Sequence, residues 1–261
     1  MDHEYAFDYD DAVLAELYDR RETYTDDVEL IRRLTGGRGP LNVLECFCGT
    51  GRIALPLAQD GHRVTGIDIA DAMLARARAR CNALGPQISR RVRWICRDVL
   101  AGGWGGGFDL IILGANAFYE LPSAAMQQRC IALAAEASAP GGFLYVDNND
   151  FGGTWRLAPQ PRVVFEGATA DGALARYLME ELSFDDRMAI LNMKRTVTIR
   201  YPDGRERRGE YTSCKHPVGK AQVQRWIEDA GFEILEVFGD RSGTRYRAGA
   251  RRAIFWSQAR G

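Results

Sequence analysis

The chain has 261 residues, of which 46% are hydrophobic and 26% charged, so its length and composition fit one large globular domain or a core with an inserted subdomain. The formal net charge of -1 argues against a protein that wraps nucleic acid, because such proteins usually carry a basic surplus, although a local basic patch stays compatible with it. The apolar stretches are only strand-length, and the acidic N-terminus MDHEYAFDYDD lacks the basic start and apolar run of a signal peptide. We therefore expect a cytoplasmic protein with neither a nucleic-acid nor a membrane partner.

Apolar residues recur at helical spacing between residues 11 and 34, which predicts two helices joined near residues 21–25. The glycine-rich stretch 36–40 ends the second helix. A β-α alternation then begins, which predicts a parallel sheet with helices on both faces. Its predicted strands span residues 41–46, 62–67, 92–96, 110–113 and 143–146. The helices between them span residues 52–60, 71–80 and 126–138.

After residue 151 the alternation stops, and the pattern predicts an inserted antiparallel sheet. Its predicted strands span residues 163–166, 175–182, 188–201 and 205–213, with turn residues at 185–186 and 202–204. The α/β pattern returns with a helix over residues 219–230, which Gly231 ends, and with strands at 232–238 and 251–257.

The strongest single motif is VLECFCGTGR at residues 43–52, which predicts a strand, a glycine turn and the start of a helix. Glycine at 49 and 51 lets the backbone turn sharply against a ligand, and the free N–H groups of the next helix favour a negative ligand group. Phe47 stands where dinucleotide-binding turns carry their first glycine, and no Lys-Ser/Thr pair follows Gly51. These departures disfavour a dinucleotide or phosphate cradle.

Two carboxylates stand at the ends of the next two predicted strands. Asp68 can accept hydrogen bonds from both ribose hydroxyls of a nucleoside, and its alternative role is to cap a helix that Asp71 caps better. Asp98 can accept from an adenine amino group while the Val99 backbone donates, and its alternative role is a turn aspartate. The six cysteines show no zinc-ligand spacing, because Cys46-x-Cys48 is too tight and no second pair follows, so we expect free thiols and no metal.

The segments VLECFCGTGR, VTGIDIADAMLARARAR, CRDV and FDLIILGANAFYEL together resemble the class I S-adenosylmethionine-dependent methyltransferases. Within that superfamily the chain is similar to small-molecule N-methyltransferases, both the glycine and sarcosine enzymes and the nucleotide-sugar amine N,N-dimethyltransferases. The resemblance implies an α/β fold with a Rossmann-like seven-stranded sheet and an antiparallel insertion after strand five. It implies a helical lid at 1–35, a cofactor-binding core at 36–152 and 217–261, and an insert at 153–216 over the acceptor site.

The resemblance also implies which residues bind S-adenosylmethionine. Tyr18, the best match among the N-terminal tyrosines Tyr5, Tyr9, Tyr18 and Tyr24, would meet the cofactor carboxylate, and Asp68 and Asp98 would take the ribose and adenine roles. The full cofactor-binding set is Tyr18, Glu45, Gly49, Thr50, Gly51, Arg52, Asp68, Ile69, Met73, Asp98, Val99 and Leu113. Two alternatives stay open: that Arg52 simply faces solvent and that Met73 belongs to the core.

For the acceptor site we predict Glu120 as the preferred base or ammonium-binding group, with His216 as the other candidate and Tyr119 beside them. The alternative for His216 is that it only shapes the junction with the next helix. The predicted substrate-binding residues are Asn116, Asp147, Asn149, Tyr211 and Arg241. Arg241, with Arg245 and Arg247, would bind an anionic acceptor or would form a solvated face.

The hypothesis that follows is an enzyme that methylates the nitrogen of a small amine, with methylation of a small-molecule hydroxyl as the close alternative. A non-catalytic cofactor-binding module is a third hypothesis, and an NAD-dependent oxidoreductase is disfavoured by the missing three-glycine turn. The sequence leaves the oligomeric state open, and a homo-oligomer is compatible with it.

Overall fold

The computed structural model describes residues 11–153 and 155–260, so Tyr5 and Tyr9 of the predicted lid lie outside the described residues. The helices of the described part are α1 (Ala12–Arg21), α2 (Asp26–Thr35), α3 (Ala54–Gln59), α4 (Asp71–Ala83), α5 (Pro86–Ser89), α6 (Ala124–Ala137) and α7 (Lys220–Asp229). The strands are β1 (Asn42–Cys46), β2 (Arg63–Asp68), β3 (Val92–Cys96), β4 (Phe108–Leu113), β5 (Ser138–Asn149), β6 (Arg162–Ala168), β7 (Leu174–Asp185), β8 (Ile190–Arg200), β9 (Glu206–Lys215), β10 (Phe232–Phe238) and β11 (Arg252–Ala259).

The larger sheet has seven strands in the order β10-β11-β5-β4-β1-β2-β3. Strands β1 to β5 pair in parallel, whereas β11 runs antiparallel to both β5 and β10. Because the chain moves outward from β1 in both directions, the loops after β1 and β4 diverge and leave a crevice at the carboxyl ends of the strands. The predicted α/β fold with a seven-stranded Rossmann-like sheet is confirmed.

Helices cover both faces of this sheet, as the β-α alternation predicts. On one face α2 and α3 bury Ile31 and Leu57, and on the other α6 and α7 bury Ile131 and Ile227. Each fully buried aliphatic side chain of this kind stabilises the fold by about 1.5–3 kcal/mol. The two apolar layers therefore hold the strand ends, and the loops that follow them, in fixed positions.

The smaller sheet contains β6, β7, β8 and β9, joined in that order as antiparallel neighbours. Turn residues at the predicted places connect them: Asp185 Oδ1 accepts the N–H groups of Arg187 and Met188, and Asp203 Oδ1 accepts that of Arg205. The two chain segments that join this sheet to the core lie side by side, since the Phe151 N–H donates to the Val218 carbonyl over 3.3 Å. The insertion therefore leaves and re-enters the core at one point.

Helix α1 joins the two sheets. Asp11 caps it by accepting the N–H groups of Val13 and Leu14, at 2.8 and 3.2 Å. Its Leu14 and Leu17 pack in one apolar cluster with residues of β7 and β8, namely Ala175, Val197 and Ile199. The helix thus lies between the antiparallel sheet and the core.

The main differences from prediction fall where strands lengthen or short helices intervene. Strand β5 begins at Ser138 rather than at residue 143, because a register shift between Phe108 and Leu110 of β4 accommodates the extra residues. The sequence pattern missed α5 and two short 3-10 helices, Val99–Ala101 and Ala117–Glu120, because single turns carry no periodic signal. No helix in the described ranges is long and apolar enough to span a bilayer.

Candidate active site

A cavity of about 780 Å³ lies at the carboxyl ends of the parallel strands. Its floor comes from the loops after β1, β2, β3 and β4, and α1 and the antiparallel sheet provide its other walls. A pocket of this size lies within the range of small-molecule sites, about 300–1,000 Å³. The charges that line the cavity differ between its two ends. Carboxylates line the end near β2 and β3, and cations line the end near the antiparallel sheet.

Three residues with side chains adopt left-handed backbone geometry at the floor of this cavity. They are Phe47 after β1 (φ 59°) and Ala115 and Asn116 after β4 (φ 56° and 65°). Phe47 thus has the conformation of the glycine that it replaces in the turn. Asn116 is further fixed, because its Oδ1 accepts the N–H of Asn149 at the end of β5 over 2.7 Å. Backbone strain of about 1–3 kcal/mol per residue is typical of functional sites.

The end of the cavity near β2 and β3 is lined by Asp68, Ile69, Met73, Asp98 and Val99. Asp68 accepts the Gly49 N–H with Oδ2 (2.7 Å), and Asp98 accepts the Leu100 N–H with Oδ1 (2.8 Å). These bonds fix two carboxylates at neighbouring strand ends, where they face the cavity. Met73 is a core residue, only 2% exposed, that also lines the cavity, so its contact with a cofactor stays a prediction.

The rest of the glycine turn lies below the cavity. A Cβ at Gly51 would stand 2.6 Å from the Trp94 ring, so this glycine makes room for the tryptophan. Thr50 is fully buried, and the Arg80 guanidinium donates to both its carbonyl and its hydroxyl over 3.2 Å. Neither residue lines the cavity, so their predicted cofactor contact is corrected to support of the turn. Gly49 does line it, with φ of 52° and the Tyr18 ring 3.8 Å from where its Cβ would be.

Arg52 neither faces solvent nor reaches the cavity. Its guanidinium is held by Asp27 of α2 through two bonds, Nη1–Oδ1 at 2.8 Å and Nη2–Oδ2 at 2.5 Å. Its carbon Cζ also lies 3.9 Å from the centre of the Tyr24 ring, and Arg241 lies over the same ring at 4.2 Å. Tyr24 lines the cavity, and burial raises the pKa of its hydroxyl. The predicted contact of Arg52 with a cofactor carboxylate is therefore replaced by support of Tyr24.

The opposite end of the cavity contains a carboxylate between two cations. Glu120 follows β4, and its Oε1 binds Lys215 Nζ of β9 at 2.6 Å while its Oε2 binds Arg195 Nη2 of β8 at 3.2 Å. Arg195 is only 4% exposed and also donates to the Tyr177 hydroxyl. All four side chains line the cavity. Sequence analysis missed Arg195 and Lys215, although Arg195 occupies an inward position between the buried residues Met193 and Val197 of β8.

A second bridged pair of cations lies where β5 and β11 adjoin the cavity. Asp147 is fully buried, and its two oxygens bind Arg241 Nε at 2.7 Å and Arg252 Nη1 at 2.6 Å. The arginines line the cavity, but Asp147 does not. Asp147 therefore positions two guanidinium groups, and its predicted substrate contact is corrected on that ground.

Known proteins that are similar to this chain in sequence or in fold include several methyltransferases. Residues 43–142 match a family described as a methyltransferase domain. A glycine/sarcosine/dimethylglycine N-methyltransferase of Actinopolyspora halophila is 25% identical over 229 residues, covering 86% of this chain but only 37% of that protein. An S-adenosylmethionine-dependent methyltransferase from Clostridium acetobutylicum shares the fold at a TM-score of 0.76 with 16% identity, over 95% of this chain and 98% of that one. A sugar N-methyltransferase from Streptoalloteichus sp. gives 0.73 with 18% identity, over 93% and 90%.

Residues 43–142 are therefore a methyltransferase domain, and the fold around them is that of S-adenosylmethionine-dependent methyltransferases. The residues of this chain fit that cofactor. Glu45, at the carboxyl end of β1, does not itself line the cavity: its carboxyl is only 4% exposed, and its Oε2 is buried with no hydrogen-bond partner among the described residues. Burial raises the pKa of this carboxyl well above its ordinary value. A ligand that brings a positive group to this point would satisfy the oxygen and favour the ionised form.

Four other predicted residues lie outside the cavity of the methyltransferase. His216 is buried and hydrogen-bonds to Gln127 through Nδ1 (2.9 Å), so it shapes the junction before α7 rather than acting as a base. Burial raises the pKa of Tyr119, which packs in the core. Tyr211 packs in the apolar cluster around α1, and Leu113 is a core residue of β4. Their predicted contacts with reactants are corrected accordingly.

The remaining predicted acceptor residues do line the cavity, namely Glu120, Asn116, Asn149 and Arg241. Of the two arginines grouped with Arg241 in the sequence, Arg245 has a side chain 84% exposed and pairs with Glu236 at the surface, which is the solvated alternative. The structure thus brings residues predicted to bind the cofactor and residues predicted to bind the acceptor together in one cavity.

Proposed function

We propose that this methyltransferase transfers a methyl group to the amine nitrogen of a small molecule. The observation that carries the proposal is the Glu120 carboxylate at the end of the cavity opposite Asp68 and Asp98, where an acceptor ammonium would bind. The names of two similar proteins support it, because one is a glycine/sarcosine/dimethylglycine N-methyltransferase and the other a sugar N-methyltransferase. The cavity size supports a small acceptor, because cofactor and acceptor must share about 780 Å³.

We assign the nucleoside end to the cofactor. Asp68 would accept the ribose hydroxyls, Asp98 and the Val99 backbone would bind the adenine edge, and Ile69 and Met73 would contact its faces. At the other end of the cofactor, Tyr18 would meet the carboxylate and Glu45 the ammonium. The division into a lid (1–35), a core (36–152 and 217–261) and an insert (153–216) belongs to this proposal, with the insert over the acceptor.

The bound cofactor supplies a methyl group already activated on a sulfonium sulfur. The residues of this chain therefore position the acceptor nitrogen in line and exclude water, and such positioning supplies about 7–11 kcal/mol of catalysis. Glu120 would receive the acceptor as an ammonium ion. The nitrogen must lose a proton before it attacks, and Glu120 is the carboxylate placed to accept that hydrogen bond.

Two measurements test the proposal. Calorimetry should show binding of S-adenosylhomocysteine and none of NAD. Labelled cofactor should then transfer its methyl group to members of a panel of small amines and not to the matched alcohols. Methylation of the alcohols alone would refute the nitrogen acceptor, and binding without transfer to either class would indicate a non-catalytic module.

A further inference from the structure

Away from Asp68 and Asp98, the side chains around the cavity carry more positive than negative charge. Two carboxylates, Glu120 and Asp147, are each bridged by two cations at 2.6–3.2 Å, and Arg241 also lies 3.9 Å from the half-exposed Asp26, so four cationic side chains meet three acids. The bridging cations are Arg195, Lys215, Arg241 and Arg252, with exposed fractions of 5%, 14%, 8% and 24% for their side chains.

The other acidic residues that line the cavity do not offset this excess. Asp68 and Asp98 lie at the nucleoside end, where they accept backbone N–H groups of Gly49 and Leu100. Glu22 pairs locally with Arg21 at 3.2 Å. Buried cations without a matching anion are costly, so the excess indicates a ligand that brings negative charge.

The two bridged pairs differ in what lies next to them. Arg241 lies over Tyr24, on the side of the cavity where the cofactor carboxylate is proposed to bind, and that carboxylate accounts for one positive charge. Lys215 and Arg195 belong instead to the antiparallel sheet, which covers the acceptor end. An ammonium has three donors, and the Glu120 bond takes one of those of Lys215.

We propose that the methyl acceptor carries an anionic group, a carboxylate or a phosphate, and that Lys215 and Arg195 bind it. Glu120 lies between the two cations and fixes them, so that the amine and the anion of one acceptor are received by adjacent side chains. This inference rests on the proposed function, because it takes the second reactant of the same cavity to be an amine.

The first experiment measures anion binding without turnover. The protein, loaded with S-adenosylhomocysteine, is melted in chloride and then in acetate or inorganic phosphate at constant ionic strength. A ligand of the folded state raises Tm. We expect such a rise for wild type, for Lys215→Arg and for the control Lys194→Gln, whose lysine is the neighbour of Arg195 and pairs with Glu210 at the surface. Lys215→Gln should lose the rise. An equal response of wild type and Lys215→Gln, or none in wild type, overturns the proposal.

The second experiment measures selectivity in pairs of amines that differ by one anion, β-alanine against its amide and phosphoethanolamine against ethanolamine. The anionic member of at least one pair should be methylated with a higher kcat/KM, by about ten- to a hundredfold, which corresponds to one hydrogen bond to a charged group. Lys215→Gln should abolish that preference by raising KM and leave S-adenosylhomocysteine affinity unchanged. Equal rates within both pairs would contradict the anionic acceptor and leave the amine proposal intact. Methylation restricted to alcohols would contradict the amine proposal, and the melting experiment would then decide whether the cavity binds an anion.

Discussion

Arg52 and Asp27 form a doubly hydrogen-bonded ion pair that is almost completely buried, with side-chain exposures of 9% and 0%. The pair joins the helix of the N-terminal segment to the loop after β1. Because Arg52 also lies against the Tyr24 ring, the ion pair places an aromatic side chain in the cavity wall. Arg52, which the sequence motif assigns to the cofactor, therefore supports Tyr24 of the cavity wall instead.

Asp27→Asn should lower the free energy of unfolding by about 3–5 kcal/mol, because it leaves a buried guanidinium without its charge partner. Urea denaturation at neutral pH measures the change. The matched control is Glu206→Gln, which breaks the Arg200 pair at the surface, where the two side chains are 70% and 46% exposed. That control should change stability by less than about 1 kcal/mol. Equal effects of the two substitutions would mean that the buried pair contributes no more than the exposed one.

Gly51→Ala should destabilise the protein by about 1–3 kcal/mol, because the new Cβ would meet the Trp94 ring at 2.6 Å and the residue has a φ of 77°. The loss should appear in thermal melting even without cofactor. Gly106→Ala is the control, since nothing lies within 4 Å of its added Cβ. A Gly51→Ala protein with wild-type Tm would show that the turn adjusts freely.

Asp68→Ala should weaken S-adenosylhomocysteine binding by about 1–3 kcal/mol through loss of hydrogen bonds to a charged group. Calorimetry gives the affinity directly. Asp71→Ala removes a carboxylate three residues away whose side chain is 68% exposed, and it should bind as wild type does. Unchanged affinity in a folded Asp68→Ala protein would remove the ribose role.

Glu120→Gln should lower kcat by about tenfold or more while S-adenosylhomocysteine affinity stays near that of wild type. The reason is that the amide keeps the size of the side chain but loses the charge that holds Lys215 and Arg195 and would receive the acceptor. Steady-state kinetics and calorimetry on the same preparation separate the two quantities. A variant with wild-type kcat would exclude Glu120 from the reaction.

The stability of the protein should fall as the pH is lowered from 7.5 to 5.5. Burial lowers the pKa of His216 and of His62 below the ordinary value of 6.5. The unfolded chain therefore takes up protons first, so the stability is complete above about 6.5 and is lost as the pH falls below it. Tm at the two pH values should differ less in His216→Gln than in wild type. An unchanged pH dependence would show that His216 titrates normally.

The fold, and the position of Asp68 and Asp98 at one edge of the sheet, could be predicted well from the sequence because local signals determine them. Strands β3 and β10 have the predicted boundaries, and the spacing of Asp68 and Asp98 after their strands places both on the cavity. The cavity wall near the antiparallel sheet was predicted less well, because it depends on which side chains of a distant sheet face inward. His216 and Tyr119 have side chains suited to catalysis, but both are buried in the core. The signal for Arg195 was its position in β8, where a charged residue stands among the alternating buried residues of the strand.

The contact between Phe151 and Val218 has a consequence for how such an enzyme can diverge. Since the two connecting segments meet at this point, residues 153–216 can lengthen or shorten without altering the strand order of the core. Chimaeras joined at this place should keep the affinity of the core for the methyl donor. They would have to rebuild the contacts of this sheet with Leu14 and Leu17 of α1 and with Glu120.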